Sequence, residues 1–338
     1  MTENELPFAF GVPPLRARLR SQPEDFFVEE ILGYEPDGAG EHAFVLVEKR
    51  GANTDWVARE VAKFAGTSPM NVGYAGMKDR HAVTRQVFTV QLPGKADPDW
   101  SAFPHADVKL TALGRHSRKI KRGALRGNRF VLVLREVEGD RAEAEARLAA
   151  IAERGVPNYF GEQRFGLGGN NVEQARGMFK GRRVDRDKRS ILLSAARSHI
   201  FNGVLAARVA AGTWDAAIEG EIWGLDGSRS WFGPEAFNDT LAERLARFDI
   251  HPTGPLWGSG ETPAGADVAA LEAAVAARDP DLAEGLAGAR MDQERRALRL
   301  KPADFAWRWL DDGALEVSFA LPAGAYATTV IREIATTA

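Results

Sequence analysis

Apolar positions in roughly the first 150 residues fall into strand-like runs. DFFVEEI (Asp25 to Ile31), HAFVLVEK (His42 to Lys49), QVFTVQL (Gln86 to Leu92) and NRFVLVLRE (Asn128 to Glu136) are rich in β-branched and aromatic residues, which predicts strands. Between the second and third runs, Asn53-Thr54-Asp55 can cap a helix, and Trp56, Val57, Val61 and Phe64 follow at helical spacing. An Ala-rich helix is expected from about Arg141 to Arg154. From Gly155 to about Lys301 the pattern changes to longer helical stretches, such as Leu193 to Ala210 and Val268 to Ala277, separated by loop-forming clusters. ALEVSFALP (Ala314 to Pro322) returns to strand and Ala325 to Ile334 to helix. The simplest architecture is one α+β domain made from both chain ends, with a mixed module inserted between them.

Composition bounds the function classes. The chain has 338 residues, 44% hydrophobic and 27% charged, as in ordinary globular proteins, and its length favours two domains. There is no cysteine, which excludes disulfides and thiolate metal sites and fits a reducing cytoplasm. The N-terminal stretch MTENELPFAF lacks the pattern of a secretory signal, and no apolar run approaches the roughly 20 residues needed to span a bilayer. A cytoplasmic protein without membrane contact is expected.

The net charge is −3, yet the cations are clustered. RHSRKIKRGALRGNR (Arg115 to Arg129) holds seven Lys or Arg and no acid, and Arg176 to Arg189 holds seven against two Asp. A polyanion can meet locally positive surfaces on a globally acidic protein. Solvated hairpin or helix faces account for the same runs.

Several motifs carry little. GLGGNN (Gly166 to Asn171) has the wrong glycine spacing for a dinucleotide loop, and GSGETP (Gly258 to Pro263) puts Pro where a glycine belongs. The six histidines have no ligand spacing, and neither a Walker sequence nor a GxSxG elbow is present. No metal or organic cofactor is expected.

The informative stretch is GYAGMKDRHAVTRQ (Gly73 to Gln86). Gly73 and Gly76 permit a tight backbone path, and Asp79 stands between Lys78 and Arg80. Flanking cations favour a carboxylate over its acid, which suits a nucleophile or a base. An exposed turn Asp among surface charges gives the same pattern.

This stretch resembles the signature of TruD-type tRNA pseudouridine synthases, in which the Asp of the KD pair is catalytic. Six further blocks are similar to that family and stand in its order: PEDFFVEE (Pro23 to Glu30), EPDGAGEHAFVLVEKRGANT (Glu35 to Thr54), RKIKRGALRGNRFVLVLRE (Arg118 to Glu136), GVPNYFGEQRFG (Gly155 to Gly166), RSILLSAARSHIFN (Arg189 to Asn202) and LPAGAYATTVIRE (Leu321 to Glu333). The resemblance spans most of the chain. It implies an α+β fold: a pseudouridine synthase core with a mixed, largely antiparallel sheet, formed by residues 1–154 and 301–338. An α/β insertion domain would occupy residues 155–300. It also implies an isomerase that converts uridine in tRNA, typically at position 13, into pseudouridine, with tRNA as its partner, no protein partner and no cofactor.

The resemblance assigns roles residue by residue. Asp79 is the catalytic carboxylate, attacking C1′ of the sugar or C6 of the ring, or removing a ribose proton. Arg20, where many relatives are expected to have Lys, would orient Asp79. Asn128 would hydrogen-bond the uracil edge and Phe130 stack on the ring, although FVLVL also reads as a core strand. Tyr326, where relatives often have Phe, would pack on the base, and its hydroxyl needs a partner. Arg332 and Glu333 are weaker candidates for a supporting role, and read first as surface helix charges. Lys78, Arg80, Arg118, Lys119, Lys121 and Arg122 are the expected RNA contacts, with Arg182, Arg183, Arg186, Lys188 and Arg189 as a second phosphate-binding group. Two other classes remain: a catalytically silent RNA-binding protein, whose mark would be loss of Asp79, and an aspartate-dependent hydrolase, which needs a second acid that Met77 to Gln86 does not supply.

Overall fold

The structure is a computed structural model that describes residues 6–337. Residues 1–5 of the stretch read for a secretory signal lie outside it. The chain divides into two compact units, one formed by Leu15–Asp140, Pro302–Gly324 and Thr336–Ala338, the other by the residues up to Pro14 with Arg141–Lys301 and Ala325–Ala335.

The first unit is built on strands β1 (Leu15–Leu19), β2 (Phe26–Ile31), β3 (His42–Arg50), β4 (Val72–Tyr74), β5 (Val83–Gln91), β6 (Val108–His116) and β7 (Gly127–Gly139). The pair Ala303–Trp309 and Leu315–Pro322 completes the main path: that pair, then β7-β2-β5-β3-β6. Only the β2–β5 contact along it is parallel, with Phe27 opposite Val83 and Val28 opposite Thr84. The sheet is mixed and largely antiparallel, as expected. The five predicted strand runs are all strands.

Helix α1 (Thr54–Phe64) begins where Asn53 accepts a hydrogen bond from the Asp55 amide at 2.9 Å, the expected cap. Its Val57, Ala58, Val61 and Ala62 pack on Ala43, Val45 and Val47 of β3, Phe88 and Val90 of β5, and Leu110 of β6. The side chains of a strand alternate between faces, so positions 43, 45, 47 and 49 share the face beneath α1.

In the other unit, α2 (Arg141–Arg154) and α4 (Arg186–Ala210) are predominantly helical as their patterns predict, joined by α3 (Asn170–Phe179), α5 (Asp239–Ala246), α6 (Ala266–Ala276) and α7 (Pro280–Gly288). Leu192, Ala196 and Ile200 of α4 meet Ala175 and Met178 of α3 and Leu282 and Leu286 of α7. Short antiparallel strands accompany them, with Ile250–Leu256 between Trp223–Leu225 and Glu294–Ala297. The helix expected over 325–334 is reduced to α8 (Ala327–Ile331), ATTVI, in which four of five residues are β-branched and favour helix poorly. A strand follows at Ala335–Thr337. Among the described residues no helix is long and apolar enough to cross a membrane.

Gly73 of β4 is required by close approach rather than by φ. A Cβ there would stand 2.5 Å from the Ile120 carbonyl oxygen and 2.7 Å from Thr89 Oγ1. Gly73→Ala is expected to cost about 2 kcal/mol, read as a lower urea midpoint; an unchanged midpoint would show that β4 and the 119–120 segment can part freely.

Candidate active site

Asp79 lies in the loop between β4 and β5, and its position is set by main-chain contacts. The Gly76 carbonyl accepts from Gln86 Nε2 at 3.1 Å, the Lys78 amide donates to Thr54 Oγ1 at 3.1 Å, and the Asp79 carbonyl accepts from Lys49 Nζ at 3.1 Å. Thr54 heads α1 and donates in turn to Gln86 Oε1 at 3.3 Å. Lys49, Thr54, Thr84 and Gln86 are all fully buried and form the polar end of the face that α1 otherwise covers with aliphatic side chains.

The Asp79 side chain is thereby left half-exposed, at 39%. Its Oδ2 accepts from Arg20 Nη2 at 2.8 Å. The paired hydrogen bonds that Arg can give a carboxylate are reduced to one; Arg20 Nε is buried without a partner. The guanidinium carbon lies 4.0 Å from the centroid of the Phe26 ring, over its face, a cation–π contact. Arg20 has φ +64°, a left-handed backbone that non-glycine residues adopt at a cost of about 1–2 kcal/mol. Sparse backbone conformations of this kind cluster where a side chain must be aimed.

Lys78, expected among the RNA contacts, turns inward. Its ammonium is 2.5 Å from Glu30 Oε2, with side chains 7% and 0% exposed. Burial pushes the Glu30 carboxyl up, against the pull of Lys78. Glu30 Oε1 has no partner, and neither has Oδ1 of Asn128, the residue opposite Glu30 on β7. Two unpaired acceptors therefore lie on adjacent strands, on the face shared with Phe130. Phe130 itself is buried, 6.4 Å from Phe26 and 5.5 Å from Phe319 between ring centroids. It packs as the core strand residue that FVLVL suggested, behind the ring on which Arg20 rests.

Arg80, Arg118, Lys119, Lys121 and Arg122 are exposed. Lys119, Lys121 and Arg122 line a cleft of about 610 Å³ with Arg59, Met70 and Tyr74. Arg122 lies 4.0 Å above the Tyr74 ring, donates to its hydroxyl at 2.6 Å and pairs with Asp55; Lys119 donates to the Met70 carbonyl. This cleft is lined by none of Arg20, Asp79 and Asn128. In the other unit Arg182, Arg183 and Lys188 line a cleft of about 380 Å³, and Arg186 and Arg189 are exposed.

Tyr326 also belongs to that other unit, half-buried at the start of α8. Its hydroxyl accepts from Arg164 Nε at 3.0 Å, and Arg164 also donates to Ser194 at 2.9 Å. Arg332 and Glu333 are buried, contrary to the surface reading. Glu333 accepts from the Ala9 amide and from Arg332 Nη1, both at 3.0 Å, and its carbonyl accepts from Arg147 at 3.0 Å. The shortness of α8 is the reason: residues 332–334 form a turn that points inward instead of a further exposed helical turn. Among the described residues no group of acids and histidines is arranged to hold a metal. Lys49 and Glu30 went unnoticed in the sequence, although Lys49 stands where the period-two stripe Ala43, Val45, Val47 continues.

The crystal structure of the 'Putative tRNA pseudouridine synthase D (TruD)' from Methanosarcina mazei, 22% identical and covering 97% of this chain and 95% of that one, matches with a TM-score of 0.74, and the two share the pseudouridine synthase fold. The family model of tRNA pseudouridine synthase D (TruD) matches residues 4–173 and 170–334. Proteins named tRNA pseudouridine synthase D from Xanthomonas campestris pv. campestris (strain 8004) and Methylococcus capsulatus are 54% and 49% identical, covering 97% and 98% of this chain and 94% of each relative. The chain belongs to the TruD family of tRNA pseudouridine synthases, isomerases that act on RNA.

Burial pushes the Glu333 carboxyl up to about 7, against Arg332 and Arg147. The native state then keeps a proton between pH 4.5 and 7 that the unfolded chain has released, so stability falls as pH rises through that window. The stability of wild type minus that of Glu333→Gln is expected to drop by about 3 kcal/mol over the window; identical pH dependence in both proteins contradicts this.

Proposed function

We propose that this chain isomerises a uridine of tRNA, at position 13, to pseudouridine, with Asp79 as the reacting carboxylate and the cytoplasm as its place of action. One observation carries the reading: within the family signature, the Asp79 carboxylate projects half-exposed from a loop whose backbone is hydrogen-bonded to Lys49 and Thr54, and it accepts a hydrogen bond from Arg20. The catalytic domain is taken as residues 1–154 with 301–338, and 155–300 as its insertion. Asp79 and its holding network fall within the unit that contains Leu15–Asp140.

The reaction breaks the bond between ribose C1′ and uracil N1 and makes one between C1′ and C5. The proton on C5 is lost and N1 gains one, so nothing is consumed. Such a reaction needs the base unstacked and turned out, which costs a few kcal/mol. Cations on phosphates and aromatic faces on bases offset that cost. Attack by Asp79 on C1′, attack on C6 and removal of a ribose proton all require a carboxylate beside the sugar–base junction. The guanidinium of Arg20 keeps the carboxylate in one orientation for any of them.

Asn128 is the candidate for reading the base. Its buried Oδ1 lacks a donor, and the N3–H of uracil is a donor of matching kind. Phe130 is assigned to the wall behind the site, supporting Phe26 and hence Arg20. The role of Tyr326 rests on the resemblance alone. Arg80, Arg118, Lys119, Lys121 and Arg122 are assigned to phosphates, with the cations at 182–189 as a second group, while Lys78 serves to anchor the loop to Glu30.

Asp79→Asn is expected to abolish pseudouridine formation while leaving tRNA binding in place, measured by pseudouridine mapping and filter binding. Product at the wild-type rate from that variant ends this reading; binding without product by the wild type favours a silent RNA-binding protein. Replacing Lys119, Lys121 and Arg122 together by Ala should weaken tRNA binding and flatten its log–log salt dependence by about 2; an unchanged slope moves the phosphate contacts elsewhere.

A further inference from the structure

Lys49 is fully buried, and among the described residues no carboxylate accepts a hydrogen bond from its ammonium. Nζ donates to two backbone carbonyls, Ala52 at 2.7 Å and Asp79 at 3.1 Å. On β3 it continues the stripe of Ala43, Val45 and Val47, every member of which is fully buried beneath α1. An isolated buried ammonium is expensive. An apolar side chain of similar size in such a place is commonly neutral or stabilising, so stability gives no reason for a lysine there. Its contact with the carbonyl of Asp79 does.

We propose that Lys49 is a positioning residue for the reacting carboxylate, holding the Asp79 main chain from below while its charge acts on the Asp79 side chain through the protein interior. It leaves the carboxylate oxygens free for Arg20 and substrate. The inference rests on the reading of Asp79 given above.

The charged groups acting on Lys49 are Asp79, which favours the ammonium, and Lys78, which opposes it. Its neighbours across β5 and β6 are Thr84 and Val108, which carry no charge. Burial, with Lys78 acting in the same direction, outweighs Asp79 and brings Lys49 down to about 8. Raising the pH through that value removes the charge beside Asp79. The same change relieves a buried charge: the unfolded chain holds its proton up to about 10.5, so the native state gains stability between pH 8 and 10.5. Activity and stability thus move in opposite directions, which a merely structural lysine would not produce.

The test is single-turnover pseudouridine formation on tRNA by the whole protein from pH 7 to 9, with tRNA affinity measured in parallel. The wild-type rate is expected to fall with an apparent pKa near 8 at unchanged affinity. Lys49→Met should turn over about 100-fold more slowly, as expected for a misplaced catalytic group, with no such inflection and with undiminished tRNA binding. Lys49→Arg should restore part of the rate and shift the alkaline fall upward. A wild-type rate that is level from pH 7 to 9 overturns the proposal even where the variants fail to fold, and so does a folded Lys49→Met that reacts at the wild-type rate. An active Asp79→Asn overturns the underlying assignment instead, and an inactive one beside a fully active Lys49→Met removes only the role of Lys49.

Discussion

Three backbone groups of the loop that carries Asp79 find their partners below it: the Gly76 carbonyl on Gln86, the Lys78 amide on Thr54 and the Asp79 carbonyl on Lys49. A connecting loop has no ladder of its own, and buried main-chain groups must be paired. Here the pairing comes from the one end of the α1 face where β3 and β5 exchange aliphatic for polar side chains. Val45, Val47, Phe88 and Val90 carry the packing, and Lys49, Thr84 and Gln86 stand next in the same register. Sheet register therefore places the loop, and the rigid sheet transmits its precision to a residue that belongs to neither strand.

The cations around Asp79 divide their work by burial. Lys78 is sealed against Glu30, where attraction is weakly screened and desolvation is large, so it acts as an anchor and is unavailable to a phosphate. Arg20, one-third exposed, lies over the Phe26 ring and meets the carboxylate directly. Arg80 is in solvent, where an ion contact is worth least and is most sensitive to salt. Lys78 and Arg80, which look equivalent on either side of Asp79 in the sequence, thus differ because their surroundings differ, and the cation that meets the carboxylate comes from 59 residues away. Arg and Lys differ further in that only the planar guanidinium can both stack and donate sideways.

Much of this was readable from the chain. Period-two apolar runs mark β2, β3, β5 and β7 because each has at least one face in the core, and Asn53 marks the start of α1 through local chemistry that needs no tertiary information. The Asp79 loop was readable through its glycines and through the resemblance. The inward turn of Lys78 was not, since Glu30 lies 48 residues away and meets it only after β2 and β5 pair in parallel. Arg332 and Glu333 were misread because a helix assumed to continue through Ile334 would expose them, whereas α8 stops at Ile331. Lys49 was visible in principle: a lysine on the apolar register of a strand is a conflict between local and global preference, and such conflicts collect at functional sites.

A protein of net charge −3 that takes a polyanion as substrate poses an electrostatic question that the location of its acids resolves. Part of the acidic complement is internal. Glu221 is buried against Arg208 and Glu272 against Arg295, each at 2.8 Å. Pairs of this kind contribute nothing to the field outside. With a screening length of about 8 Å at physiological salt, an approaching phosphate responds to the charges beneath it, not to the sum over the chain. Arg118, Lys119, Lys121 and Arg122 reach solvent close together in the chain, and so do Arg182, Arg183, Arg186 and Arg189, interspersed with Asp185 and Asp187. Affinity for RNA then depends on where cations reach solvent, and a modest negative total is compatible with strong, salt-sensitive binding.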